Sequence, residues 1–139
     1  MIDKNEIRCG NWFRHNDNWS YREKEGNFKW EDRDWYALGE CTIDLSNVFP
    51  IPLSPDILLK CGFIKEPIEN GNDNEGYYYS YRLSEDKYID LSLLSGDKNG
   101  LCEVFLFPYD QLRYKYLHQI QNIVHSITGK ELPISSLVV

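Results

Sequence analysis

Tyr114, His118, Gln121 and His125 fall at i, i+4, i+7 and i+11, with Lys115 and Asn122 beside them. On an α-helix this spacing makes one stripe of hydrogen-bonding side chains. A histidine beside a tyrosine or a nearby carboxylate can pass a proton to or from a bound substrate. The same stripe can also serve as a polar binding surface, or as the solvated or interface-facing side of a helix. A metal shared by the two helix histidines is excluded. Seven residues span about 10.5 Å at 1.5 Å per residue, too far for two imidazoles to meet one ion through bonds of ~2 Å. His15, beside the Asn16-Asp17-Asn18 turn, reads as a surface-loop histidine.

The other chemical candidates are weaker. Glu31, Asp32 and Asp34 with Arg33 read as a charged turn, since nothing in the sequence buries them and a shifted carboxylate requires burial. The oxygen-rich loop from Asn70 to Gly76 has no Glu closing a twelve-residue calcium loop. Cys9, Cys41, Cys61 and Cys102 are all far apart in sequence and form no CxxC motif. No HExxH, GxSxG, Walker A or GxGxxG pattern is present. No cofactor, metal or catalytic residue is therefore expected.

Composition narrows the classes further. With 139 residues, 42% of them hydrophobic, the chain suits one domain. Two sub-lobes, 1–49 and 50–139, are compatible with that. The net charge of −7 is spread over both halves, which disfavours phosphate-backbone binding as the basis of function. The N-terminus lacks an apolar signal segment, and no apolar run reaches the ~20 residues of a membrane span. A cytoplasmic protein with reduced thiols is the expectation.

The elements that must position these residues can be read along the chain. Ile7 to Phe13 suits a strand, with Gly10 marking a bulge or a close backbone approach. Trp19 and Tyr21, then Phe28 and Trp30, alternate with polar residues around Lys24-Glu25-Gly26-Asn27, as in a hairpin with one aromatic face. Tyr36 to Leu38 and Thr42 to Leu45 suit further short strands. Together they suggest a small β-barrel-like (SH3-like) lobe.

Ser54 is a good N-cap, Pro55 fits the first helical position and Gly62 the left-handed C-terminal one, so a two-turn helix is expected between them. Tyr77 to Leu83, Tyr88 to Leu94 and Leu101 to Phe107 read as a three-stranded antiparallel meander. A final helix is expected from Asp110, its cap, to Thr128, with Gly129 as its stop. Its apolar arc (Leu112, Tyr116, Leu117, Ile120, Ile123, Val124, Ile127) is interrupted only by Arg113 and should lie on the meander. The fold class is α+β.

Three blocks carry a resemblance. They are Ile7-Arg8-Cys9-Gly10-Asn11-Trp12, the stretch from Pro50 to Phe63, and Tyr116 to Asn122 with Thr128-Gly129-Lys130-Glu131-Leu132. In this order they resemble a family of small proteins of gut-type anaerobic bacteria, their prophages and mobile elements, to which no activity attaches. The resemblance implies a bacterial or phage-derived protein and marks His118, Gln121 and Asn122 as family features. His125 departs from it, standing where an aromatic residue is more usual.

The leading expectation is a non-catalytic protein- or peptide-interaction protein of a mobile element. It would bind through Tyr114, His118, Gln121 and Asn122, or through an exposed aromatic platform of Trp19, Tyr21 and Trp30. That platform competes with the same aromatic residues forming the core of a lobe poor in aliphatic side chains. Two alternatives stand: a small enzyme using His118 with a neighbouring tyrosine or carboxylate, and a small-barrel nucleic-acid binder.

Overall fold

The computed structural model describes residues 2–16, 26–40, 44–67, 77–84, 89–94, 103–107 and 109–134. Trp19, Tyr21, Thr42, Ile43, the loop from Asn70 to Gly76, Cys41 and Cys102 lie outside them.

The fold is α+β, with two antiparallel sheets. The first contains β1 (Trp12–His15), β2 (Gly26–Lys29) and β3 (Val48–Pro50), ordered β2-β1-β3. Phe13 pairs in register with Phe28 and with Pro50, so β1 is the central strand. Strand alternation puts Phe13 and His15 on the buried face and Arg14 on the exposed one. Phe13, Phe28, Trp30 and Val48 form a core with Ile2, Ile7 and Ala37. No closed barrel forms among the described residues. His15 is a buried strand residue rather than a loop one; its Nδ1 lies 3.0 Å from the Asn16 carbonyl and its ring packs on Phe28.

Two expectations for this lobe are corrected. Gly26 and Asn27 lie within β2, so they are not the turn of a Trp19–Trp30 hairpin. Tyr36, Ala37 and Leu38 are helical, in α1 (Asp32–Gly39). The acidic run from Glu31 to Asp34 starts that helix: the Glu31 N–H donates to the Asp34 carboxylate at 2.8 Å, satisfying a donor at the helix start. Trp35, on the first turn, meets Trp30 edge-on at 5.3 Å.

The second sheet is larger than the meander expected. β4 (Ile64–Pro67), β5 (Tyr77–Ser84), β6 (Ile89–Leu94), β7 (Val104–Phe107) and β8 (Tyr109–Tyr114) follow one another in space as in sequence. The meander is its centre, β5-β6-β7. β4 and β8 form its edges.

Between β3 and β4 lies α2 (Pro55–Lys60), ended as its sequence requires. The Ser54 hydroxyl accepts from the Ile57 N–H at 3.3 Å. At the other end Gly62 has φ +88°. The Phe63 and Gly62 amides return to the Leu58 and Leu59 carbonyls at 3.0 and 3.1 Å, closing a Schellman motif. Replacing Ser54 by alanine should cost about 1 kcal/mol in urea unfolding. A null result would mean that tertiary packing alone fixes this helix.

The last helix, α3 (Leu117–Thr128), has its N-cap at Tyr116, six residues later than the expected cap Asp110. Residues 109–114 pair with β7 instead. Four further hydrogen bonds fix the start. Leu53 N–H donates to the Lys115 carbonyl and Leu117 N–H to the Ile51 carbonyl, each at 2.9 Å, so the chain stays extended through Tyr116. The Gln119 carboxamide oxygen then accepts from the Lys115 and Tyr116 amides at 2.9 and 3.1 Å. Gly129 ends the helix at φ +72°, as expected.

Leu117, Ile120 and Val124 of α3 pack with Leu53, Leu58, Tyr79, Leu83, Val104 and Leu106 in a second core. Tyr79 is buried and Tyr81 half-buried on the same core.

Candidate functional site

Tyr114 of the polar stripe ends β8 and does not lie on the last helix. His118, Gln121 and Asn122 do lie on α3, and they face the segment from Glu6 to Trp12, which precedes and enters β1. Gln121 is 1% exposed, and both ends of its amide are engaged. Its oxygen accepts from the Trp12 N–H at 2.9 Å, and its nitrogen donates to the Gly10 carbonyl at 2.8 Å.

Asn122 donates to the Glu6 carbonyl at 2.7 Å and accepts from the side chains of Asn11 and Arg8 at 2.8 and 3.2 Å. Asn11, itself fully buried, accepts the Arg8 N–H at 2.7 Å. Arg8 also forms a two-pronged ion pair with Glu131, whose carboxyl is held below its ordinary range chiefly by that hydrogen bond. Gly10, at φ +98°, carries no Cβ where the Glu131 carboxylate lies 3.3 Å away from its place. This is the close approach its position suggested.

His118 sits one turn earlier on the same stripe. It is 2% exposed, between Phe13 (ring centroids 5.1 Å) and Tyr116 (stacked at 6.1 Å). Its Nε2 lies 3.3 Å from Glu6 Oε2. Its Nδ1 is buried without a hydrogen-bonding partner among the described residues. Burial pushes the imidazole pKa below its ordinary value, although the hydrogen bond and charge of Glu6 pull the other way.

A shallow groove of about 290 Å³ opens on this side of α3, lined by Glu6, Tyr114, His118, Gln119, Asn122, Ile123 and Ser126. Sequence reasoning found Tyr114, His118 and Asn122 but missed Glu6, which lies 112 residues from His118 in the chain. No local pattern signals such a pairing. Gln121 stands apart from the groove, beneath the Gly10–Trp12 backbone. Trp30, proposed for an aromatic platform, is fully buried in the first core and cannot meet a ligand.

The two described thiols, Cys9 and Cys61, are weak nucleophiles. Burial pushes the Cys61 thiol up to about 12. Cys9 donates to Asp32 at 3.1 Å, and that hydrogen bond raises its pKa. Among the described residues no cluster of three or more His, Cys, Asp or Glu can hold a metal, and no helix is long and apolar enough to cross a membrane. Compared with protein-family models, curated proteins and solved structures, the chain matches none.

Proposed function

We propose that this is a non-catalytic binding protein that takes a short peptide segment of a partner protein into the groove beside α3. The observation that carries this reading is the state of the stripe. Gln121 and Asn122 are committed to internal hydrogen bonds, while Tyr114, Ile123 and Ser126 line an open concavity beside Asn122. The volume of about 290 Å³ is at the small end for a ligand site, suited to one or two side chains. The role fits the prophage-type resemblance of the three blocks and a cytoplasmic setting, in which Cys9 and Cys61 are free thiols.

A random dodecapeptide library displayed on phage and selected against the full chain tests this. Selected peptides should shift the NMR resonances of Tyr114, Ile123 and Ser126. Ser126→Trp, on an exposed position, should weaken them at least tenfold. Peptides that bind elsewhere, or with unchanged affinity for Ser126→Trp, would remove the proposal.

An enzyme built on His118 draws one observation in its favour, the Glu6 carboxylate at 3.3 Å. It fails on access. Nε2 is taken by Glu6 and Nδ1 is buried, so neither ring nitrogen reaches a substrate. Ser126, eight residues on, is about 12 Å farther along the helix axis, beyond a nucleophile–base contact. Nucleic-acid binding is disfavoured by the charge of −7. The Arg113 and Lys115 pair on the β8 side also faces Glu103 at 3.9 and 3.6 Å.

A further inference from the structure

We infer that the groove beside α3 is a subsite for the side chain of an arginine or lysine in the bound peptide. This rests on the peptide-binding reading above and names the chemistry of its anchor.

Among the described residues Glu6 is the only acidic one in the lining, and no Lys or Arg accompanies it. Its side chain is 51% exposed. Oε2 meets His118, and Oε1 makes no hydrogen bond among the described residues. A half-exposed carboxylate with a free oxygen, held in place from behind, is ready to accept from a guanidinium or ammonium.

The neighbouring imidazole adds no positive charge near neutral pH, because burial keeps it in the neutral form. Tyr114 and Ile123, both packed on the second core, form the apolar part of the lining. Apolar walls beside a carboxylate match the two-part character of a long basic side chain, whose methylene stem packs while its head stays polar. An aromatic wall adds cation–π attraction. The Ser126 hydroxyl lines the same groove and can accept a further hydrogen bond. The overall charge of −7 would speed the encounter with a basic segment and would hinder an acidic one.

The test uses isotope-labelled full chain and three probes: N-acetyl-arginine methylamide, N-acetyl-lysine methylamide and the citrulline analogue. Citrulline keeps the shape of arginine without its charge. The arginine or lysine probe should shift Tyr114, Ile123 and Ser126 saturably, and citrulline should bind at least tenfold more weakly. Glu6→Gln keeps an acceptor for His118 and should preserve the spectrum of the free protein. It should bring the cationic probes down to the citrulline level.

Equal binding of arginine and citrulline, or an unchanged affinity in Glu6→Gln, would overturn the inference. So would spermidine matching the amino-acid probes at the same residues, because the subsite would then belong to free polyamines. If library-selected peptides occupy the groove yet carry no basic residue, this inference alone falls. If none occupies the groove, the peptide-binding reading falls first.

Discussion

Replacing Gln121 by leucine should destabilise the protein by about 2–5 kcal/mol, although leucine nearly matches glutamine in size. The side chain is 1% exposed and serves two backbone groups, the Trp12 N–H and the Gly10 carbonyl. Leucine leaves no cavity, but it strands both groups away from water. Each stranded group costs about 1–3 kcal/mol. Gln121→Glu should also destabilise, since a carboxylate cannot donate to Gly10 and would bury a charge. Gln119→Ala removes a helix-start interaction instead and should cost about 1 kcal/mol. Urea unfolding followed by tryptophan fluorescence gives the ranking. If Gln121→Leu cost less than Gln119→Ala, the docking of residues 8–12 onto α3 would not be what holds the two cores together.

That docking joins three stretches that are far apart in the chain. The block from Ile7 to Trp12 supplies Arg8, Gly10 and Asn11; the last block supplies Gln121, Asn122 and Glu131. The middle block holds the start of α3 through Ile51 and Leu53. Residues far apart in the chain therefore meet at one junction.

Local chemistry made parts of the fold legible. Ser54, Pro55, Gly62 and Gly129 act only on their own helix ends, and all sit where their chemistry placed them. The meander was readable because strand alternation is local too. The start of α3 was misread because the apolar arc tolerated Leu112 and Tyr116. The competing signal was present: Leu112, Tyr114 and Tyr116 alternate with Arg113 and Lys115, a period of two that belongs to a strand. In α1 the acidic first turn of Asp32 and Asp34 outweighed the strand propensity of Trp35 and Tyr36.

The site was legible only in half. Periodicity collected His118 and Asn122 on one side of a helix, with Tyr114 wrongly joined to them from β8, but it could not say what covered them. Asparagine and glutamine read equally well as surface or as buried clamps, and the difference lies in the partner backbone. Glu6 was invisible for the same reason. It belongs to a short 3-10 turn whose place against α3 is set by long-range bonds, including that from Asn122 to its own carbonyl.

His118 should make stability depend on pH in a defined window. Its folded pKa lies below the ordinary 6.5, because burial disfavours the imidazolium more than Glu6 favours it. Between the folded value and 6.5 the unfolded chain binds more protons, so unfolding gains as pH falls. The contribution is complete above about pH 6.5 and is lost below it, at no more than about 1.4 kcal/mol per pH unit for one group. His118→Gln should remove this slope, read as the wild-type minus variant difference in urea stability between pH 7.5 and 5. Glu6→Gln should steepen the acid loss, since it removes the charge that opposes neutralisation. Glu131 acts in the same direction, but its window opens only below its ordinary 4.5. The two can therefore be separated on one titration. A wild-type minus His118→Gln difference that stays flat from pH 7.5 to 5 would mean that the ring is not held neutral. Glu6 would then face a partly charged imidazolium, and the groove would lose the net negative character that a basic side chain requires.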